Sequence, residues 1–224
     1  PEYEIYTRYS YSSNEKKGLS NPVVGRTIED KDGNLWIGTE GGGLNYYNRR
    51  TREFKWYRPQ EGRNSISHNN VKALYYDADK EIIWIGTHLG GLNKLDIRSG
   101  HFTHYRMEEG NPNTLPSDII RDIIPYKSLL IIATQNGVCL FDPANGQCQQ
   151  LFKDSKEGKS IKMVADVTFD SEGTLWIAAT GEGVFSYRFD TCRLTNYRHD
   201  ATNPNSLSNN NVNNITQDSK GNLW

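Results

Sequence analysis

The segment Leu35-Trp36-Ile37-Gly38-Thr39 lies between the turn Asp30-Lys31-Asp32-Gly33 and the run Gly41-Gly42-Gly43, and it recurs along the chain. Ile83-Trp84-Ile85-Gly86-Thr87 precedes Gly90-Gly91-Leu92-Asn93. Leu130-Ile131-Ile132-Ala133-Thr134 precedes Gly137-Val138, and Leu175-Trp176-Ile177-Ala178-Ala179 precedes Gly183-Val184. One more copy, Asp218-Ser219-Lys220-Gly221-Asn222-Leu223-Trp224, runs to the last residue. The tryptophan-equivalent positions 36, 84, 131, 176 and 224 are 48, 47, 45 and 48 residues apart. A fixed period of this size specifies an array, a solenoid or a propeller, in which each repeat is one supersecondary unit. Length alone would suggest a single domain, but the repeat overrides that estimate.

Each repeat carries four strand signals. In the first, residues 23–28 form strand A, 35–39 strand B, 43–47 strand C and 53–57 strand D. Asp30 to Gly33 turns A into B, and the glycines turn B into C by supplying positive φ. Asn48-Arg49-Arg50-Thr51 turns C into D. Strand B is rich in Trp, Ile and Thr, which suit a pleated and packed surface. Four short strands, each after a turn signal, make an antiparallel meander, and no helical periodicity is visible. The links from D to the next A also repeat, as Asn64-Ser65-Ile66-Ser67, Asn111-Pro112-Asn113-Thr114-Leu115, Gly158-Lys159-Ser160-Ile161 and Asn203-Pro204-Asn205-Ser206-Leu207. The single Ile or Leu is expected to tuck beneath each link.

The expected architecture is an all-β propeller with one four-stranded blade per repeat. Residues 1–224 form one propeller fragment. Residues 19–58, 64–105, 113–152 and 158–197 are complete blades. Residues 1–18 bring the last strand of a preceding blade, at 4–9, and a link; residues 205–224 open a further blade. Such an arc would leave two hydrophobic blade faces in water. The expected remedy is association of two chains, as a homodimer or through blade edges; the alternative is a composite fifth blade.

A net charge of -1 and a pI near 6.6 give no footprint for nucleic acid or for a membrane surface. The mean hydropathy of -0.75 is low for a large core, but 13 Tyr, 7 Phe and 5 Trp bury much apolar area per residue. No apolar run approaches the ~20 residues that span a bilayer, and no signal peptide is visible. The chain reads as a piece of something longer.

Chemistry is sparse. Cys139, Cys148 and Cys192 match no metal spacing; Cys139 and Cys148 flank a turn, which leaves a cross-strand disulfide open to them. His68, His88, His101, His104 and His199 read as surface residues. His101 and His104 fall on opposite faces of strand D, a poor ligand geometry. The acids Asp30, Asp32, Asp77, Asp79 and Asp218 lack the further ligands of a calcium loop and are explained as turn caps. The glycine runs precede no helix that could bind an anion, and no nucleophile elbow is present. No catalytic residue, metal or cofactor is assigned. Trp36, Trp84 and Trp176 read as core between blades.

The Asp-x-x-Gly-Asn-Leu-Trp-Ile-Gly-Thr-x-Gly-Gly-Gly-Leu repeat and its companion Asn-Pro-Asn-Ser-Leu-Ser-x-x-x-Val resemble the two-component regulator propeller repeat, over essentially the whole chain. The third copy departs with Ile131 and lacks its Asp-x-x-Gly turn; the fourth has Ala178-Ala179 for Gly-Thr. The resemblance implies the periplasmic sensor region of a Bacteroides-type hybrid two-component protein. It also implies an oligosaccharide ligand released from polysaccharide, and a histidine kinase outside this chain. Two other functions are weighed beside it: a protein-interaction propeller that sets kinase geometry without a ligand, and a propeller hydrolase or lyase, which would need converging acids.

For a ligand, the B–C turns and D–A links share one rim. The candidates there are Glu40, His88, Gln135 and Glu182 from the turns. His68, Asn69, Asn70, Asp118, Lys162, Asn209 and Asn210 come from the links. Polar groups around a concavity suit a sugar with many hydroxyls. Trp56 departs from its repeat-mates His104 and Asn196 and is either an interface anchor or edge packing.

Overall fold

The computed structural model describes residues 7–224. Among these residues sixteen strands form four separate four-stranded antiparallel sheets, each ordered as in sequence. The first holds β1 (Val24–Glu29), β2 (Leu35–Thr39), β3 (Gly43–Asn48) and β4 (Glu53–Tyr57). The second holds β5 (Val71–Asp77), β6 (Ile82–Thr87), β7 (Leu92–Asp96) and β8 (Phe102–Tyr105). The third holds β9 (Ile120–Tyr126), β10 (Leu129–Thr134), β11 (Gly137–Phe141) and β12 (Cys148–Gln150). The fourth holds β13 (Val164–Phe169), β14 (Leu175–Ala179), β15 (Gly183–Arg188) and β16 (Arg193–Tyr197). These are the blades of a β-propeller.

Two short 3-10 turns, Glu15–Lys17 and Gly158–Ser160, are additions to the expected strands. Of the expected strand at 4–9, residues 4–6 lie outside the described residues and 7–9 are not in a strand. Tyr9 nevertheless packs its ring 4.7 Å from that of Tyr47. Residues 205–224 form no named strand among the described residues, only the bridge Gln217↔Leu223.

The chain divides into two compact units, Pro1–Ile85 with Lys94–Thr103, and Gly86–Asn93 with His104–Trp224. In the first, Trp36, Leu44, Ile66, Val71, Leu74 and Ile83 interlock in one buried cluster with Ile85, Leu95 and Phe102. Ile66 from the D–A link is 1% exposed within it. In the second, Ile131, Val138, Ile161, Val164, Ile177 and Phe185 do the same work between the third and fourth sheets. Burying each such side chain contributes roughly 1.5–3 kcal/mol.

The turn before strand B explains the Asp-x-x-Gly-x-Leu-Trp signature. Asp30 Oδ1 accepts the backbone N–H groups of Asp32 and Asn34 at 3.0 and 2.9 Å. Its Oδ2 accepts the indole N–H of Trp36 at 3.2 Å. Gly33 supplies φ +79 in the same turn. Asp170 repeats the pattern with Glu172, Thr174 and Trp176, and Asp218 with Lys220, Asn222 and Trp224. These carboxylates are consumed as caps. The third sheet has neither Asp nor Trp here; β9 turns directly into β10 through Lys127, at φ 55, and Ile131 fills the core.

Trp36 and Trp84 are 2% and 1% exposed, as expected of core between blades. Trp176 differs, being only half-buried. It lines a cavity of about 580 Å³ with Tyr197, Leu207, Ile215, Leu223 and Trp224. The same repeat positions in the first unit are Trp36, Tyr57, Ile66, Leu74 and Ile83, where Ile85, Leu95 and Phe102 complete the packing. Trp224, the last residue of the sequence, is 75% exposed. In the first unit β1 is largely exposed, with Val24 at 45% and Val23, just before the strand, at 51%.

Candidate functional site

Each B–C turn is laced to the D–A link that follows it. In the first unit Gly41 and Gly43 donate their N–H groups to Asn69 O at 3.3 and 2.7 Å, and Glu40 bridges Asn70. In the second unit Gly91 donates to Asp118 O at 2.9 Å, Met163 to Gln135 O at 2.8 Å, and Gly183 to Asn210 O at 3.0 Å. The glycine that opens strand C is required twice over. Gly43 has φ +80, and a Cβ there would lie 2.2 Å from Tyr57 O; Gly183 has φ +81, with 2.3 Å to Tyr197 O. Turns and links therefore do share a rim within each unit.

The rim candidates fall into distinct situations. Four side chains tie down loops. His68 Nδ1 accepts the Asn70 N–H at 3.1 Å, Asp118 Oδ1 that of Met107 at 2.8 Å, and Asn210 Oδ1 that of His199 at 2.7 Å. Asn209 Oδ1 likewise accepts from Asn211 N–H at 2.8 Å. Two carboxylates are paired, Glu40 with Lys72 and Glu182 with Arg198. His88 is half-buried in its turn, whereas Gln135 and Lys162 are exposed.

An unforeseen element is the basic residue that ends strand D. Arg106 Nη1 donates to Leu89 O at 2.9 Å and approaches Asp118 Oδ2 at 3.4 Å. Arg198 reaches Gly181 O at 3.5 Å as well as Glu182. Arg58 donates to Ser20 O at 3.3 Å and stacks over the Trp56 ring at 4.5 Å. The Tyr-Arg pairs at 57–58, 105–106 and 197–198 were the signal for it. The third blade has Leu151-Phe152 instead, and Phe152 turns its ring onto Tyr187, with centroids 4.7 Å apart.

Where the arginine is missing, a polar cleft of about 280 Å³ opens, lined by Asn136, Gln150, Lys153, Gly158, Lys159 and Lys162. Gln150 Nε2 donates to Asn136 O at 3.1 Å, and Asn136 Nδ2 to Pro116 O at 3.3 Å. Lys153, Lys159 and Lys162 are all exposed. Of the sequence candidates only Lys162 lies here. Lys153 and Lys159 escaped notice because the link of this blade departs from the Asn-Pro-Asn form.

Trp56 lies elsewhere. Its indole N–H donates to Gly18 O at 2.9 Å, and its backbone N–H to Glu15 Oε1 at 2.6 Å, so it fastens the N-terminal segment to the edge of β4. His101 precedes β8 rather than lying in it, and both it and His104 are exposed. The opposite-face argument therefore does not apply to them. No group of three metal-ligating side chains gathers among the described residues.

Residues 18–41, 65–88 and 206–224 match the family model described as two component regulator propeller. In these stretches the chain is similar to regulator propeller repeats. Among curated proteins, none matches the sequence. Among solved structures, the extracellular domain named for the hybrid two-component system BT3049 of B. thetaiotaomicron superposes with a TM-score of 0.70 at 22% identity, over 96% of this chain and 34% of that one. A Bacteroides thetaiotaomicron VPI-5482 protein of unknown function gives 0.60 at 13% identity, over 90% and 56%. At these identities the likeness shows the fold. This chain spans about a third of the first structure's length.

Proposed function

We propose that this propeller, built of two-component regulator repeats, is the extracytoplasmic sensing region of a hybrid two-component signalling protein. It detects oligosaccharides released from polysaccharide and controls a histidine kinase carried outside this chain. The observation that carries the reading is the repeat match at three positions along the chain. The name of the 0.70 TM-score neighbour, an extracellular domain of such a system, supports it. Among the described residues no helix is long and apolar enough to cross a membrane, so the reading assigns the anchor to another part of the protein and the propeller to the periplasm.

The cleft on the rim has what a sugar needs, amide and ammonium groups together with the apolar Leu151 and Ile161. Signalling requires that the ligand bind one arrangement better than another, since equal affinity shifts nothing. The test is calorimetric titration of the full-length protein with oligosaccharides from chemically different polysaccharides, alongside kinase autophosphorylation. Binding of one glycan class with a matching change in phosphorylation is expected. A kinase that responds to polysaccharide digests while no component binds the propeller would overturn the reading.

A second reading rests on the exposed Val23 and Val24 of the first unit. Apolar blade surface of this kind favours association of two chains, through which the propeller sets kinase geometry without binding a ligand. Light scattering of the chain across a thousandfold dilution separates the two. A persistent dimer whose kinase output ignores glycans supports the second; a monomer removes it.

A further inference from the structure

Two departures from the repeat fall in the third sheet and meet there. Strand C carries Asn45 and Asn93 in the first two sheets where the third has Cys139; strand D carries Phe54, Phe102 and Leu194 where the third has Cys148. In the β11–β12 register Cys139 opposes Gln150 and Phe141 opposes Cys148. The cysteines therefore point to one face on a diagonal, and the twist of an antiparallel pair shortens one diagonal. Their Sγ atoms are 2.7 Å apart, closer than the contact distance of two unbonded sulfurs. Cys139 is 0% and Cys148 3% exposed. The Cys148 N–H is itself fixed to Asn113 O at 2.7 Å, so strand D is held in this register.

The third sheet also has the strongest need of a staple. Its strand D, β12, has 3 residues, against 4 or 5 in the other sheets. It lacks the Asp–Trp cap and the terminal arginine as well. Two buried thiols would serve only as small hydrophobes, giving up the larger Phe or Leu that other sheets place at position D.

We propose that Cys139 and Cys148 form a disulfide that closes β11 onto β12. The oxidant is a donor disulfide, either glutathione disulfide or that of a thiol oxidoreductase. One cysteine thiolate attacks a donor sulfur, giving a mixed disulfide and releasing a donor thiolate. The second cysteine thiolate attacks the protein sulfur of that mixed disulfide, forming the Cys139–Cys148 bond and releasing the other donor thiolate. Two protons leave the protein thiols and the donor disulfide is reduced to two thiols. Because both sulfurs are buried in the folded sheet, exchange precedes its closure, and the finished bond is shielded from reductants. Cys192 is exposed and stays a thiol. The bond requires no ligand and no signalling role, so its test is separate from that of the sensing function.

The full chain is unfolded with reductant, refolded in a couple of reduced and oxidised glutathione, then denatured, alkylated and digested without reductant. The expected result is one alkylated cysteine, Cys192, and a cross-linked peptide pair joining Cys139 to Cys148 with two hydrogens missing. Cys192→Ser, at an exposed site, should give the same cross-link and no alkylated cysteine. Three alkylated cysteines after refolding, or a cross-link that includes Cys192 in the unsubstituted chain, would overturn the proposal.

Discussion

The indole N–H of Trp176 donates to Asp170 Oδ2 at 2.7 Å, across six residues of turn and strand. The other carboxylate oxygen of Asp170 accepts the backbone N–H groups of Glu172 and Thr174 at 3.0 and 2.9 Å. One side chain thus caps the turn and sets the ring of the next strand. Asp30 with Trp36 and Asp218 with Trp224 repeat the relationship at 3.2 and 3.0 Å, and the third repeat, which lacks the tryptophan, lacks the aspartate as well. Substituting Asp170→Ala should lower stability by roughly 1–2 kcal/mol, the worth of hydrogen bonds to a partly exposed charged acceptor. At about 2–4 °C per kcal/mol for a chain of this size, the loss is readable as a fall in Tm. Asp170→Asn, which keeps one acceptor, should lose less; equal losses would mean that charge rather than hydrogen bonding matters.

The same geometry sets a pH dependence. The side-chain amide of Asn222, then the indole of Trp224 and the Asn222 backbone, hold the Asp218 carboxyl at about 2, below its ordinary 3.8. A carboxyl lowered in the folded state contributes stability above its unfolded value and loses it as pH falls through the folded value. The capped turn should therefore persist through pH 3.8 and open as pH approaches about 2. The Trp224 indole N–H resonance, followed by NMR down the pH scale, should move with a midpoint near the lower value. A midpoint near 3.8 would show that the carboxyl is not held.

Leu89 stands at φ 74 in the B–C turn of the second repeat, where the first and fourth repeats have Gly41 and Gly181. A left-handed conformation costs an L-residue roughly 1–2 kcal/mol, and Leu89 recovers little by burial at 56% exposure. Leu89→Gly should therefore stabilise the chain by about 1 kcal/mol, despite the greater freedom glycine gives the unfolded state. A lower Tm for the glycine variant would mean that the leucine packs against something that offsets its strain.

Gly183→Ala should act in the opposite direction. The residue has φ +81, and an added Cβ would meet Tyr197 O at 2.3 Å, a backbone atom that cannot turn aside. A loss of about 2 kcal/mol or more is expected from strain and overpacking together. Gly173, with φ +78 and nothing within 4 Å of a Cβ, provides the comparison. Gly173→Ala should pay for φ alone, so a chemical denaturation midpoint equal for the two would remove the steric argument.

The period, the four strands and the tight turns were legible in the sequence because each is local: Asp30, Gly33 and Trp36 act within seven residues, and Gly43 answers to the strand that follows. Ile66, Leu115 and Ile161, picked out as single apolar residues in polar links, are 1–4% exposed, whereas Leu207, picked out with them, is half-buried. What depends on packing between repeats was less visible. Trp176 has the same local sequence as Trp36 but is only half-buried. The rim offered polar residues, yet Asp118 and Asn210 are taken up by loop N–H groups, because a link that departs from a strand must satisfy its own backbone. The lysine cleft arises from an absence, the missing arginine after β12, and an absence carries a signal only once the role of that arginine is known.

Two buried acids reach from a first strand to the backbone of the next repeat, and these also escaped a reading by motif. Asp122 of β9 accepts the Val167 N–H at 3.4 Å, and Asp166 of β13 accepts the Ile215 N–H at 2.8 Å. Both sit where the strand slips register against strand B, between Ala133 and Thr134 for the first and between Val164 and Asp166 for the second. The slip turns a side chain toward the next strand, whose N–H has no ladder partner on that side. Asp166 is 5% and Ile215 7% exposed, so water cannot replace the acceptor cheaply. Asp166→Ala should destabilise the chain by about 1–3 kcal/mol, the desolvation penalty of an unsatisfied buried donor. Asp166→Asn retains an oxygen acceptor of the same reach and should recover most of that loss. Denaturant midpoints for the two variants decide between a hydrogen-bonding and an ionic role: an asparagine variant as weak as the alanine one would show that the charge of Asp166, rather than its acceptor, holds Ile215 to β13.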